Sequence, residues 1–95
     1  MRNAKDSALP ERIPVRTQTG FGEFVRSSRI RSGKTQEDLA GAVGKSRRWL
    51  QDVERGKVAP SLPAAIDVAN ALGYEFIADR SIASNLLDEV FEDLA

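Results

Sequence analysis

Between Gly20 and Gly73 apolar residues recur at helical spacing in successive runs, each closed by a glycine. Phe21, Phe24, Val25 and Ser28 share one face and predict a helix that starts near Gly20 and stops at Gly33. Thr35-Gln36-Glu37-Asp38 places a capping hydroxyl ahead of a second helix and a carboxylate at its third position. Leu39, Ala40 and Val43 face inward on that helix, and Gly44 ends it. Ser46 caps a third helix with Leu50 and Val53 inward and Gly56 as its stop. Pro60 and Ser61 open a fourth, with Leu62, Ile66, Ala69 and Leu72 inward and Gly73 at its end.

The period then changes. Tyr74-Glu75-Phe76-Ile77-Ala78-Asp79 alternates and is rich in β-formers, which predicts one short strand. Nothing else in the chain reads as a partner strand, so the expected partner is the same strand of a second copy, with Tyr74, Phe76, Ile77 and Ala78 carrying the dimer contact. From Ser81 to Ala95 helical spacing returns: Ile82, Leu86, Val90 and Phe91 lie on one side, Asp88, Glu89, Glu92 and Asp93 on the other. That apolar face needs a cover, either the dimer's own core or a partner's groove. Residues 1–18 carry Pro10, Pro14 and scattered charges without an apolar period, and read as a flexible basic arm. The expected organisation is the arm at 1–18, a helical domain at 19–73, a dimerisation strand at 74–80 and an acidic amphipathic helix at 81–95. The fold class is all-α with one short terminal strand.

Composition narrows the chemistry. The chain has no Cys and no His, so disulfides, thiol chemistry, imidazole catalysis and the usual zinc sites are not expected. No cofactor and no metal is expected. No apolar run approaches the ~20 residues of a membrane span, and Met1 to Arg16 lacks a signal-peptide core, so the cytoplasm is the expected location. A net charge of zero hides an asymmetry: residues 1–60 hold 13 Lys/Arg against 7 Asp/Glu, whereas residues 61–95 hold 1 against 7. The first part suits a polyanion and the last part repels one. Gly33-Lys34-Thr35 matches the end of a phosphate-binding loop, but Ser28 stands where that loop needs its first glycine. No enzyme activity is expected.

Two short helices, Thr35–Val43 and Ser46–Glu54, joined by Gly44-Lys45, make a helix-turn-helix layout, in which the second helix enters the major groove of DNA. Ala40 is small enough for the helices to cross closely, and Gly44 supplies a positive φ for the turn. The residues Arg26, Arg29, Gly33, Thr35-Gln36-Glu37-Asp38-Leu39-Ala40, Val43-Gly44, Ser46, Leu50, Val53-Glu54-Arg55-Gly56-Lys57, Pro60-Ser61 and Ala71-Leu72-Gly73 resemble the phage-repressor-like (XRE/Cro) helix-turn-helix family over about residues 20–73. More narrowly, Ser46-Arg47-Arg48-Trp49-Leu50 with Ala71-Leu72-Gly73 and a terminal strand resembles HipB-type antitoxins, which implies a HipA-like kinase toxin as partner.

On the outward side of the third helix, Arg47, Arg48, Gln51 and Asp52 are the base-reading candidates: Arg suits guanine, Gln adenine and Asp the cytosine amine. Paired arginines at a helix start oppose the helix dipole, so stability alone does not select them. Backbone contacts are expected from Thr35, Gln36, Lys45, Ser46, Arg55 and Lys57, with Gln36 resembling the family's phosphate-binding glutamine. Trp49 either wedges against the DNA wall or covers the junction of the third and fourth helices. The resemblance also implies a structural ion pair between Arg29 and Glu54. It implies a homodimeric transcriptional repressor on an inverted-repeat operator, either the antitoxin of a self-regulating toxin pair or a stand-alone regulator.

Overall fold

The computed structural model describes residues 11–80, and the expected arm residues 1–10 and the expected helix at 81–95 lie outside them. Four helices follow one another: α1 (Gln18–Arg31), α2 (Gln36–Ala42), α3 (Arg47–Glu54) and α4 (Leu62–Ala71). Each begins at a hydroxyl cap, from Thr17, Thr35, Ser46 and Ser61 respectively. At α2 the cap is reciprocal, since Thr35 Oγ1 accepts from the Asp38 amide while the Asp38 carboxylate accepts from the Thr35 amide.

All the helices end alike. A glycine with positive φ is followed by an amide that donates to a carbonyl in the helix's last turn, as Lys45 N does to Ala40 O at 2.9 Å. At Gly44 this bend, with φ of 68°, turns the chain from α2 into α3 within a few residues. An L side chain in this conformation is strained, which is why glycine stands in the turn.

α3 packs on α1 and α2, and α4 on α2. Phe21, Phe24, Val25, Leu39, Ala40, Leu50, Val53, Ala65, Val68, Ala69 and Leu72 form one core. Leu39, Leu50 and Val68 are fully buried, and burying a side chain of this size stabilises by roughly 1.5–3 kcal/mol. Gly22 lies in the α1–α3 crossing: a Cβ there would stand 2.4 Å from Val53 O and 2.9 Å from Glu54 O. The missing side chain is what lets α1 seat against the end of α3.

Several expectations need correction. α1 starts at Gln18, ahead of Gly20, because Thr17 caps it by accepting from the Gly20 amide. On α4 the buried face is Ala64, Ala65, Val68 and Ala69, whereas Leu62 is 66 % exposed and Ile66 half-buried. The small alanines let this side of α4 approach the body and leave Leu62, in the first turn, outside. Among the described residues no strand forms. Residues 74–80 carry no ladder within the chain, and two of the side chains expected at the dimer contact pack on α1 instead. Tyr74 meets Phe24 edge-on at 4.9 Å between ring centroids, and Phe76 meets Phe21 at 6.1 Å. Residues 11–13, expected in the free arm, lie on the body: Ile13 packs against the core and Arg12 pairs with Asp79. Glu11 accepts from Arg31 and from the Tyr74 hydroxyl, and these two bonds, the hydroxyl's first, hold its carboxyl below the usual range.

Candidate nucleic-acid interface

α3 is amphipathic in the strict sense: Leu50 and Val53 are buried and Arg47 and Arg48 project into solvent. Its start is fixed by Ser46 Oγ, which accepts from the Trp49 amide at 3.0 Å. Its end is fixed by a carboxylate. Glu54, with 3 % of its side chain exposed, receives Arg29 Nε at 2.6 Å and Arg29 Nη2 at 3.0 Å. Gln36 Nε2 adds a third bond to Glu54 at 3.1 Å. Residues from α1, α2 and α3 are thereby locked at one point, and the hydrogen bond to Glu54 raises the Arg29 pKa further above its already high value. Arg29 also donates to Lys34 O at 2.9 Å, so it ties down the turn between α1 and α2.

The expected base-reading residues share α3 but differ in freedom. Arg48 has 81 % of its side chain exposed and donates to Asp52 at 3.3 Å, one turn on. Asp52 and Gln51 are half-buried. Arg47 is exposed and lines a polar cleft of about 660 Å³, together with Arg26, Arg29, Gly33, Lys34, Thr35, Gln36 and Glu37.

Among the expected backbone contacts, Thr35 and Ser46 spend an acceptor position on their own helix caps, and Gln36 directs its amide group to Glu54. Lys45 Nζ sits 5.3 Å from the centre of the Trp49 ring, a cation–π distance, while that ring packs on the edge of the core. Trp49 is therefore a half-buried cover carrying a positive charge on its outer side. Arg55 and Lys57 are exposed in the turn that follows α3.

Four residues of this region had no site role in the sequence reading. Gln18 donates to Gly56 O at 2.7 Å, bracing the turn after α3, and Lys34 Nζ donates to Ala71 O at 2.7 Å, tying the α1–α2 turn to the end of α4. Gly22 and Arg26 are the others. A glycine inside an apolar helical period is a signal of close backbone approach, whereas long polar side chains reaching distant carbonyls leave no local pattern.

The architecture defines a class: a DNA-binding helix-turn-helix domain. The family model described as "Helix-turn-helix domain" matches residues 21–75, and the chain belongs to that family. An uncharacterised HTH-type transcriptional regulator of Methanothermobacter thermautotrophicus is 44 % identical over 56 residues, 59 % of this chain and 81 % of the relative. The restriction-modification controller protein C.AhdI from Aeromonas hydrophila is 36 % identical with a TM-score of 0.59, over 61 % of this chain and 88 % of that one. The clp gene regulator ClgR from Corynebacterium glutamicum is 30 % identical with a TM-score of 0.60, over 85 % of this chain and 89 % of its own. The chain is a transcriptional regulator with a helix-turn-helix DNA-binding domain. No helix among the described residues is long and apolar enough to cross a membrane.

Proposed function

We propose that this protein is a dimeric, cytoplasmic, sequence-specific repressor that reads operator DNA with the outward face of α3. The observation that carries the reading is the contrast between the two sides of that helix. One side is locked to α1 and α2 through Leu50, Val53 and the Arg29–Glu54–Gln36 cluster, while the other presents exposed Arg47 and Arg48. A rigidly held helix with exposed guanidinium groups is what major-groove readout demands, because a base contact has to be met within a fraction of an ångström. Gln51 and Asp52 complete the reading face, and Lys45, Arg55 and Lys57 flank it as backbone contacts. Pairing of residues 74–79 with a second copy supplies the two-fold symmetry that an inverted-repeat operator needs. Glu75 and Ile77 are exposed there, and the Tyr74 and Phe76 rings meet Phe24 and Phe21 of α1.

A second reading, the self-regulating antitoxin beside a HipA-like kinase, draws support from Ser46-Arg47-Arg48-Trp49-Leu50 at the head of α3. Co-expression with the product of the adjacent gene tests it: a stable complex with a kinase-like protein supports it, and the absence of such a neighbour removes it.

The DNA reading is tested by gel shift on the duplex upstream of the protein's own coding sequence. Arg48→Ala is expected to cost roughly 1–3 kcal/mol of operator affinity and to relax preference at one base pair per half-site. Unchanged affinity and preference would take α3 out of the readout.

A further inference from the structure

We infer that Arg26 and Arg47 grip one phosphate of the DNA backbone from opposite sides of the polar cleft, so that Arg47 is a backbone-binding residue and base reading falls to Arg48 and its neighbours. The inference rests on the DNA reading above and deepens it.

Four cationic side chains line the cleft, and they divide in two. Arg29 is spent on Glu54 and Lys34 O, and Lys34 directs its ammonium to Ala71 O. Arg26 from α1 and Arg47 from α3 are both exposed and hold no acceptor among the described residues. Glu37 is the sole carboxylate of the lining, so the cleft keeps an excess of positive charge. Like charges across one opening repel, and an anion between them turns that repulsion into attraction. A phosphodiester fits, because each planar guanidinium offers paired donors to phosphate oxygens.

Adjacent arginines on a helix point about 100° apart, and the cleft separates them. Arg47 lines it; Arg48 does not, and instead lies along α3 toward Asp52. The two side chains that look alike in sequence thus face different parts of a duplex.

The experiment measures affinity against salt concentration for the full chain on two duplexes, the upstream region and a shuffled sequence of equal length. Arg26→Ala and Arg47→Ala should each lower the slope of log affinity against log salt by about 0.9. Both should weaken the two duplexes by the same factor and leave their ratio unchanged. Arg26→Lys, which keeps the charge, should keep the slope, and Arg48→Ala should shrink the ratio. Thermal melting confirms that each variant is folded, with glutamine at the same position (Arg26→Gln, Arg47→Gln or Arg48→Gln) replacing any alanine variant that is not. If the Arg26 and Arg47 variants keep the slope, or if Arg47→Ala changes the ratio, the grip is overturned and the DNA reading stands. If the unaltered protein binds neither duplex, the DNA reading itself falls.

Discussion

Glu54 brings a carboxylate to a place where water barely reaches it, and its stability there depends on what faces it. Arg29 supplies two donors and Gln36 a third. Removing one partner of a buried pair strands the other, at about 3–5 kcal/mol, against a total of roughly 5–15 kcal/mol for a domain. Arg29→Ala is therefore expected to leave the protein barely folded at 25 °C, as read by urea denaturation. Asp38 acts differently because it is exposed. Its bond from the Thr35 amide, and then the one involving the Thr35 side chain, lowers its pKa from the ordinary 3.8. A lowered native pKa means the stabilisation is complete above that ordinary value and fades as pH falls through the lower native one. Asp38→Asn keeps an acceptor but loses the titration. The melting-temperature gap between the two proteins should be constant near neutral pH and close progressively below about pH 3.8.

At the scale of elements, the α1–α3 crossing rests on Gly22. Gly22→Ala would drive a methyl group into Val53 O and Glu54 O, both backbone atoms that cannot rotate aside. Overpacking of this kind costs typically ~1–3 kcal/mol, and chemical denaturation should show the loss. Because the displaced element is α3, operator affinity should fall by more than the folded fraction accounts for. The glycine within an apolar helical period hints at such an approach, but which backbone arrives there depends on another helix and is not written locally. Caps were legible at α2, α3 and α4 because a hydroxyl and its amide lie within one turn. The phase of α4 was not: its alanines tolerate either side, so periodicity gave undue weight to Leu62, which stands 66 % exposed. The alternation of residues 74–79 predicted a strand that does not form among the described residues, and the Tyr74 and Phe76 rings meet Phe24 and Phe21 of the same chain. The helix-turn-helix and its exposed arginines were plain because turn glycines and amphipathic spacing are local. Arg26 was seen only as a matching residue, since its proposed role depends on a cleft assembled by three helices.

For the whole molecule, charge segregation sets orientation. The basic majority of residues 1–60 contains α1 to α3, and the acidic remainder follows Pro60, so a bound duplex is expected on the α2–α3 side. Dimer formation is then expected through the segment after α4. Ile77→Pro would remove an amide from the proposed ladder, and sedimentation should report monomers with much weaker operator binding. A mutant that stays dimeric would move the interface elsewhere. The joining of residues 11–13 to residues 74–79 has a mechanical consequence. Because Glu11 meets Tyr74 and Arg12 meets Asp79, the chain enters and leaves the described body side by side. The two contacts run in the same direction along the chain, so tension applied to the two ends would load them together in shear. The helix-turn-helix would feel the pull last.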